Sequence, residues 1–353
     1  MYFKQFLHDD LGCSSYLIAS RESREAAVID PHREVQQYID LAAERGYKIV
    51  AVIDTHLHAD HISGNRDLAE ATGAQLYLYE EADVLFPFHP LQDGNVISLG
   101  QVVLRVMHTP GHRPEGLSLL VVNPTRSPEP SMVLSGDSLF VGDVGRPDFG
   151  GPEGAREQYQ SIQKLLQLED YVEVFPAHFE GSCGKGMCGR PSSTIGFERR
   201  FNLALQLSER EFLDYASQPP SQPLNMTSIM AANRGAASFP WPQVAHDGAV
   251  ASVGPVEAAD WIRDHQAFIL DVRDPWEYAE GRIQGAVSLP QADLALRLEE
   301  VPMDRDVVVV CASGNRSLRA AGFLTAVGYT RVTNLDGGTS GWIESGNPVE
   351  KDI

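Results

Sequence analysis

Three histidines and an aspartate lie close together near position 60 of the chain. They are His56, His58, Asp60 and His61, and they directly follow residues 49–53, an apolar and β-branched run that predicts a buried strand. The end of a buried strand is a rigid place to mount ligands. Neutral imidazole and carboxylate groups together are typical ligands of zinc, iron or manganese. We therefore predict a metal site, with His56 and His58 directed one way and Asp60 and His61 toward an adjacent position.

Further residues of metal-binding type follow other predicted strands. His112, Asp137 and His178 each stand at or just after the end of an apolar run. Because the ends of neighbouring strands meet at one edge of a core, we expect these side chains to converge with residues 56–61. The order of these motifs along the chain resembles that of the metallo-β-lactamase fold.

The ligand set is large enough for two metal ions. One ion would be held by His56, His58, His112 and Asp137. The other would be held by Asp60, His61, His178 and a bridging Asp137. A two-metal site activates water for hydrolysis. The ligands alone therefore leave open a dizinc hydrolase of glutathione thioesters, such as a glyoxalase II-type enzyme, with an unrelated C-terminal passenger domain.

A second candidate site surrounds a cysteine in the C-terminal part. The valines at residues 307–310 predict a buried strand that delivers Cys311 into a tight loop ahead of a helix. The loop consists of Ala312, Ser313, Gly314 and Asn315. Backbone N–H groups of such a loop, together with the helix N-terminus, favour a thiolate and would cradle a bound persulfide. Arg316 adds a positive charge for an anionic sulfur donor, and the loop is better sized for sulfur than for the phosphate of a cysteine phosphatase.

The candidate site residues lie in two sections of the chain that differ in their pattern of strand-like and helical runs. The N-terminal section has many strand-like runs and a few helical patterns, one of them at residues 195–213, which predicts a two-layered β core flanked by helices. Proline punctuation then marks a linker. Beyond it, helical and strand patterns alternate as in a small α/β domain. We expect domains at 1–216 and 251–353, with a linker at 217–250.

Composition limits the classes of partner. The 353 residues include 28 Lys and Arg against 48 Asp and Glu, a net charge of −20, and both sections are acidic. No long cationic face is available for nucleic-acid phosphates or anionic lipid. Asp9 and Asp10 interrupt the N-terminus before a signal-peptide core could form, and no apolar run is long enough to span a membrane. We expect a cytoplasmic protein that binds neither nucleic acid nor membranes; a homo-oligomer is left open.

The four cysteines agree with a reducing compartment, because they are too few for a disulfide scaffold in a chain of this length. Cys183 and Cys188 lie in a glycine-rich loop. A zinc knuckle would need two more ligands of the same kind, and none is evident. We assign these two cysteines a structural or incidental role.

The stretches around the metal ligands resemble the persulfide dioxygenases over residues 1 to about 215. The shared stretches are Gly145-Arg146-Pro147-Asp148-Phe149, Gly181-Ser182-Cys183-Gly184 and Pro191-Ser192-Ser193-Thr194-Ile195-Gly196-Phe197-Glu198-Arg199. A glyoxalase II-type enzyme is similar in this core but carries a sizeable helical C-terminal domain. The short stretch between His178 and the predicted linker leaves no room for that domain.

This resemblance implies one Fe(II) per chain, held by His56, His112 and Asp137 as two histidines and one carboxylate. Three ligands on one face leave positions for dioxygen and a substrate sulfur. The family's substrates are glutathione persulfide and dioxygen, and its products are sulfite and glutathione. Residues that would hydrogen-bond to and orient the three ligands are His58, Asp60, His61 and His178.

Arg146 matches an arginine of the family and is expected to support the substrate pocket. The chain departs from the family directly after His178. Phe179 and Glu180 stand where the family has Asp-Tyr. A substrate contact made by that tyrosine cannot be carried over.

The Cys311 loop resembles the active site of a rhodanese, and the likeness spans about 250–348. Other matching stretches are Asp271-Val272-Arg273, Glu277, Gly281-Arg282-Ile283-Gln284-Gly285-Ala286 and Gly337-Gly338-Thr339-Ser340-Gly341-Trp342. Arg282 replaces the usual histidine of the family. The resemblance implies that Cys311, with Arg316 as the other catalytic residue, takes sulfur from thiosulfate as a persulfide and exchanges it with glutathione.

Both resemblances concern sulfane sulfur, which predicts a bifunctional enzyme of sulfur metabolism. The rhodanese step is reversible, so it could equally combine persulfide and sulfite into thiosulfate. A third class also stays open, namely a sulfur carrier or sensor that passes a Cys311 persulfide to a partner while the metal is only structural.

Overall fold

The computed structural model describes residues 1–8, 12–180, 184–217, 226–235, 250–291, 293–294 and 297–351. The chain forms two compact units. The first comprises Met1–Pro223 with Ile229–Ala236, and the second comprises Leu224–Ser228 with Ala237–Ile353.

Two six-stranded sheets make up the first unit. One sheet runs in the order β1 to β6, with strands β1 (Tyr2–His8), β2 (Cys13–Ala19), β3 (Glu25–Ile29), β4 (Lys48–Ile53), β5 (Gln75–Tyr79) and β6 (His89–Leu91). The other runs in the order β12 to β7, with strands β7 (Val96–Leu99), β8 (Val102–His108), β9 (Leu117–Val122), β10 (Met132–Gly136), β11 (Glu173–Pro176) and β12 (Ser193–Thr194). The pairs from β3 to β6 and the pair β10–β11 are parallel.

The apolar core of this unit lies between the two sheets. Ile18 and Ile53 from one sheet pack in the same buried cluster as Leu104 and Leu119 from the other. Each such side chain contributes about 1.5–3 kcal/mol when it is fully buried. The outer faces are covered by α1 (Gln36–Arg45), α2 (Asn65–Thr72), α3 (Gly154–Leu165), α4 (Ile195–Phe201) and α5 (Glu209–Ala216). The predicted two-layered β core flanked by helices, an αββα arrangement, is therefore confirmed.

The helical pattern at residues 195–213 predicted one helix, and this prediction is wrong. Three polar residues divide the stretch by capping separate helices. The side chain of Thr194 accepts a hydrogen bond from the amide of Phe197, and Ser208 forms a capping box with Glu211. Asn202, between them, has an extended backbone and caps a short 3-10 helix. Such residues favour caps over helix interiors because their side chains compete for backbone hydrogen bonds.

The predicted linker contains a helix whose residues from Ile229 onward belong to the first unit. Helix α6 (Met226–Asn233) lies inside residues 217–250, and its residues Ile229 and Ala232 are buried. The rest of the predicted linker at 218–225 and 236–249 lies outside the described residues. The predicted bounds of 1–216, 217–250 and 251–353 stay a prediction.

The second unit is a small α/β domain, as predicted. Its five-stranded parallel sheet has the order β13-β18-β17-β14-β16, and β15 pairs with β19 in a separate ribbon. The strands are β13 (Ala251–Val253), β14 (Phe268–Asp271), β15 (Arg282–Ile283), β16 (Val287–Ser288), β17 (Val307–Val310), β18 (Val332–Leu335) and β19 (Val349–Glu350). The helices are α7 (Pro255–His265), α8 (Pro275–Glu280), α9 (Asn315–Ala326) and α10 (Gly338–Glu344). In the described parts of the chain, none of the helices could cross a membrane.

Candidate metal centre and cysteine site

Three of the predicted ligands meet at one edge of the first unit. His56 follows β4, His112 lies in the loop between β8 and β9, and Asp137 follows β10. Their ligand atoms all lie within 4.8 Å of one another. Asp137 Oδ2 is 3.7 Å from His56 Nε2 and 3.5 Å from His112 Nε2. The strand ends thus bring together a set of ligands that is separated by many residues in sequence.

The tautomers of both histidines follow from their hydrogen bonds. The hydroxyl of Thr55 donates to the Asp30 carboxylate, so its oxygen accepts a hydrogen bond from His56 Nδ1 at 3.0 Å. His112 Nδ1 lies 2.8 Å from the carbonyl oxygen of Arg146, which can only accept. Each ring therefore carries its proton on Nδ1 and keeps a lone pair on Nε2, the atom that faces Asp137. Burial lowers the pKa of both imidazoles, which keeps them in the neutral form that a metal ion requires.

Asp137 supplies an unpaired buried oxygen to this cluster. Its Oδ2 has no hydrogen-bond partner among the described residues, while its Oδ1 accepts from His178 Nδ1 at 2.7 Å. Burial alone would raise the pKa of Asp137, but the nearby His178 and His56 hold it below the usual range. Three buried lone pairs facing one another without a proton between them are costly unless a cation is present. The residues at this position therefore fit a metal ion.

Contacts between side chains link three of the other predicted ligands, Asp60, His61 and His178. His178 lies between two carboxylates, with Nδ1 2.7 Å from Asp137 Oδ1 and Nε2 2.6 Å from Asp60 Oδ2. Because both ring nitrogens face acidic acceptors, both carry protons in this arrangement. Although burial opposes it, these two carboxylates raise the pKa of His178 well above its usual range. His61 Nδ1 lies 3.3 Å from Asp60 Oδ1.

His58 lies beside the ligand His56 and close to several acidic side chains. Its Nε2 lies 3.3 Å from Asp30 Oδ1, and it clusters with Asp30 and Asp54 on one side and with Asp60 and His61 on the other. Its ring packs edge-on against His56 at 4.3 Å between centroids. Of the four residues expected to orient the ligands, His178 contacts Asp137 directly and Asp60 acts through His178.

Sequence reasoning missed several residues that hold the ligands. Thr55 and Asp30 orient His56, as described above. Gln158 on α3 accepts the amide hydrogen of His112 at 2.8 Å and donates to the carbonyl of Ser138 at 2.6 Å. The role of Thr55 could have been predicted because it directly precedes His56. Gln158 lies in an ordinary helical pattern, and nothing in the sequence indicates that it contacts His112.

Arg146 contributes to the centre through its backbone carbonyl. Its guanidinium forms two bonds to the carboxylate of Asp148, at 2.7 and 2.9 Å, and lies 4.9 Å from the centroid of the Phe149 ring. The side chain is buried. A contact between Arg146 and substrate stays a prediction.

A glycine next to His112 gives the first testable prediction. Gly111 has φ 135°, and a Cβ there would lie 2.3 Å from the backbone N and Cα of Gln158. We expect Gly111→Ala to lower the free energy of unfolding by about 3 kcal/mol or more and to reduce the metal content, because His112 must shift. Urea denaturation and metal analysis measure both effects.

The matched control is Gly46, which also has a positive φ of 67°, but a Cβ added there would meet nothing within 4 Å. Gly46→Ala is expected to cost about 1–2 kcal/mol of backbone strain and to leave the metal content unchanged. Equal effects of the two variants would contradict the proposed crowding at Gly111.

The cysteine site of the second unit has the predicted strand–loop–helix form. Cys311 follows β17, is fully buried, and its Sγ accepts hydrogen bonds from the amide of Gly314 at 3.1 Å and the hydroxyl of Ser317 at 3.3 Å. Both donors favour a negatively charged sulfur. Gly314 is itself buried, whereas Ser313 and Asn315 are exposed at the outer side of the loop.

Arg316 has a partner that was not predicted for it. Its two terminal nitrogens each lie 2.7 Å from an oxygen of Glu277. Glu277 also accepts the amide hydrogen of Asp274 at the start of α8. Burial would lower the pKa of Arg316, but the carboxylate of Glu277 raises it above its usual range. The positive charge of Arg316 is thus paired with the carboxylate of Glu277. The action of Arg316 on a sulfur donor stays a prediction.

Two of the remaining cysteines lie in the described part of the chain, and the backbone of one of them, Cys13, bridges to that of His178. Cys188 is a free, exposed thiol, and Cys13 is buried. Cys183 lies outside the described residues.

Comparisons with known proteins agree with this architecture. Residues 8–178 match the model of the metallo-beta-lactamase superfamily, and residues 254–345 match that of the rhodanese-like domain. The mitochondrial persulfide dioxygenase ETHE1 of Bos taurus is 34% identical over 203 residues, which is 56% of this chain and 74% of that protein.

Two solved structures are also similar. A metallo-beta-lactamase from Staphylococcus aureus subsp. aureus COL has 29% identity and a TM-score of 0.71, over 95% of this chain and 99% of that chain. ETHE1 from Myxococcus xanthus has 29% identity and a TM-score of 0.59, over 67% of this chain and 100% of that chain. The chain belongs to the persulfide dioxygenase family of the metallo-β-lactamase superfamily and carries a rhodanese-like domain after that part.

Proposed function

We propose that the chain is a bifunctional enzyme of sulfane sulfur. The first unit would oxidise glutathione persulfide with dioxygen, and the second would transfer sulfur between thiosulfate and glutathione through a persulfide on Cys311. The observation that carries this proposal is the metal centre. His56, His112 and Asp137 face one another with free lone pairs, while His178 pairs with Asp60, which favours one metal ion over two.

Fe(II) held by these three residues would supply a redox-active centre with positions left for dioxygen and a persulfide sulfur. The protein's own part is to keep the ligands in place. Thr55 and the Arg146 carbonyl fix the two imidazoles, and His178 fixes the carboxylate of Asp137. All three ligands are buried, so the protein also limits access of water to them.

The proposed oxidation balances with water as the third reactant. Glutathione persulfide, dioxygen and water give glutathione, sulfite and two protons. The outer sulfur loses four electrons, which reduce dioxygen, and the sulfur–sulfur bond is broken. The inner sulfur leaves as the thiol of glutathione.

In the second unit, the Cys311 thiolate would attack the outer sulfur of thiosulfate. A new sulfur–sulfur bond forms on Cys311, and sulfite leaves with the electron pair of the old bond. A glutathione thiolate then takes the outer sulfur as glutathione persulfide and regenerates the Cys311 thiolate. The amide of Gly314 and the hydroxyl of Ser317 support this cycle because they stabilise the thiolate.

Fusion of the two units raises the local concentration of any persulfide made by one and used by the other. The direction of transfer is open, because sulfite from the first reaction could accept sulfur from Cys311 and form thiosulfate.

A dizinc hydrolase of glutathione thioesters is the second candidate. It is favoured by the group of His58, Asp60 and His61, whose ligand atoms also lie within 4.8 Å of one another. A second metal that uses His178 as a ligand, as in the predicted two-metal site, would have to break the contact of His178 with Asp60 or with Asp137. This requirement makes the hydrolase the weaker proposal.

Product analysis on the full chain tests the proposed oxidation. With ready-made glutathione persulfide, we expect one sulfite and one glutathione for each dioxygen consumed, and no hydrolysis of a glutathione thioester. Thioester hydrolysis without dioxygen consumption would overturn the proposal in favour of the hydrolase.

A further inference from the structure

A residue from the predicted linker holds the loop that carries the metal ligands. Asn233 is the last residue of α6 and is only 4% exposed. Its Nδ2 donates to the carbonyl oxygen of His58 at 2.9 Å and to that of His61 at 2.8 Å. Its Oδ1 accepts the amide hydrogen of Ser63 at 3.0 Å. One side chain therefore fixes three backbone groups of a loop that lies some 170 residues earlier in the chain.

The segment around Asn233 is itself attached to the first unit. The guanidinium of Arg66 donates to the carbonyl of Ala232 at 3.0 Å, and the amide of Leu85 donates to the carbonyl of Arg234 at 2.7 Å. Arg234 also pairs with Asp83 at 2.6 Å. These contacts fix the end of α6 against the first unit, so the position of the Asn233 side chain relative to the loop is also fixed.

The two carbonyls that Asn233 binds lie on either side of Asp60. Asp60 Oδ2 is 2.6 Å from His178 Nε2, and His178 Nδ1 is 2.7 Å from Asp137 Oδ1. The other oxygen of Asp137 faces the histidine ligands. A continuous chain of contacts thus runs from Asn233 through the loop, Asp60 and His178 to a proposed metal ligand.

We infer that Asn233 is a positioning residue of the metal centre, which sets the place of Asp60 and thereby the orientation of Asp137. The inference rests on the metal site proposed above and gives the segment after residue 216 a role in it. Outer partners of metal ligands contribute about 10- to 100-fold to metal affinity in other proteins. Loss of Asn233 should therefore weaken metal binding and not only stability.

The test compares Asn233→Ala with Asn202→Ala in the full chain. Asn202 is a matched control because it is also buried, donates through Nδ2 to the Asp143 carbonyl and to Glu198, and accepts the amide hydrogen of Ala204. Fe(II) affinity is measured anaerobically by competition with a chelator, and thermal unfolding is measured on the metal-free proteins.

Both alanine variants are expected to lower the unfolding midpoint of the metal-free protein. Only Asn233→Ala is expected to raise the Kd for Fe(II), by about 10- to 100-fold. A Kd for Asn233→Ala within about twofold of that for Asn202→Ala would overturn the inference and leave Asn233 a purely structural residue.

Serine variants guard against loss of folding. Asn233→Ser keeps one hydroxyl that can donate to one of the two carbonyls, so its Kd should fall between wild type and Asn233→Ala. If an alanine variant does not fold, Asn233→Ser against Asn202→Ser decides by the same criterion. A wild-type chain that binds no Fe(II) would instead refute the proposed metal site, an outcome distinct from equal binding by wild type and variant.

Discussion

Replacement of His112 by alanine is expected to abolish dioxygen uptake with glutathione persulfide while thiosulfate-to-glutathione sulfur transfer continues at the wild-type rate. The variant loses one of three converging donors and leaves Asp137 Oδ2 without the imidazole that faces it at 3.5 Å. Because even outer partners of ligands contribute about 10- to 100-fold, the loss of a ligand should lower uptake by more than about 100-fold. Oxygen-electrode rates and metal content are measured on the same preparation.

His108→Ala is the matched control for this variant. His108 lies four residues earlier, stacks on Tyr79 and contacts the carbonyl of Pro114, outside the cluster of ligands. It should retain both metal and uptake. Wild-type uptake by His112→Ala would show that the ligand assignment is wrong.

Replacement of Cys311 by serine is expected to give the opposite pattern. Sulfur transfer from thiosulfate to glutathione should fall below detection, because a serine hydroxyl cannot form and release a persulfide. Dioxygen uptake with ready-made glutathione persulfide should stay within about twofold of wild type, since the change leaves every residue of the first unit in place and sites without shared partners act independently. The two activities are measured separately, by sulfite release from thiosulfate and by oxygen consumption.

The exposed thiol of Cys188 supplies the control, and Cys188→Ser should retain both activities. Survival of thiosulfate transfer in Cys311→Ser would refute the assignment of the nucleophile. Loss of dioxygen uptake in the same variant would show that the two sites do not work as separate enzymes.

Residues of metal-binding type could be found from the sequence because they stand at the ends of apolar runs, whereas the choice of three ligands among them came from the resemblance to the persulfide dioxygenases. His56, His112 and Asp137 each follow an apolar run that forms a strand. Their hydrogen-bond partners were harder to predict. The acceptor for His112 is a backbone carbonyl, that of Arg146, and any residue type could have supplied it.

Long-range packing explains the other misses. Nothing in the local pattern around Asn233 indicates that its side chain reaches the backbone of His58 and His61. Similarly, the pairing of Arg316 with Glu277 joins residues 39 positions apart, and it changes the expected charge of the cysteine loop. The spacing of residues in the sequence indicates which side chains share a face of one helix or strand. It does not indicate which helices, strands and loops pack against each other.

At residues 195–213 the sequence contains residues that cap helices, but the prediction of one helix followed the apolar spacing instead. Thr194, Asn202 and Ser208 are all residue types that cap helices, and the apolar spacing continues across them. Local hydrogen bonding by these side chains ended each helix.

The most direct test of the account is metal content per chain on protein purified anaerobically, followed by dioxygen uptake on addition of glutathione persulfide. The account predicts about one iron per chain, since His56, His112 and Asp137 converge while His178 is paired with Asp60. It also predicts rapid uptake. Two zinc ions per chain without uptake would contradict it, and the shared sulfur chemistry that links the two units would then have to be abandoned.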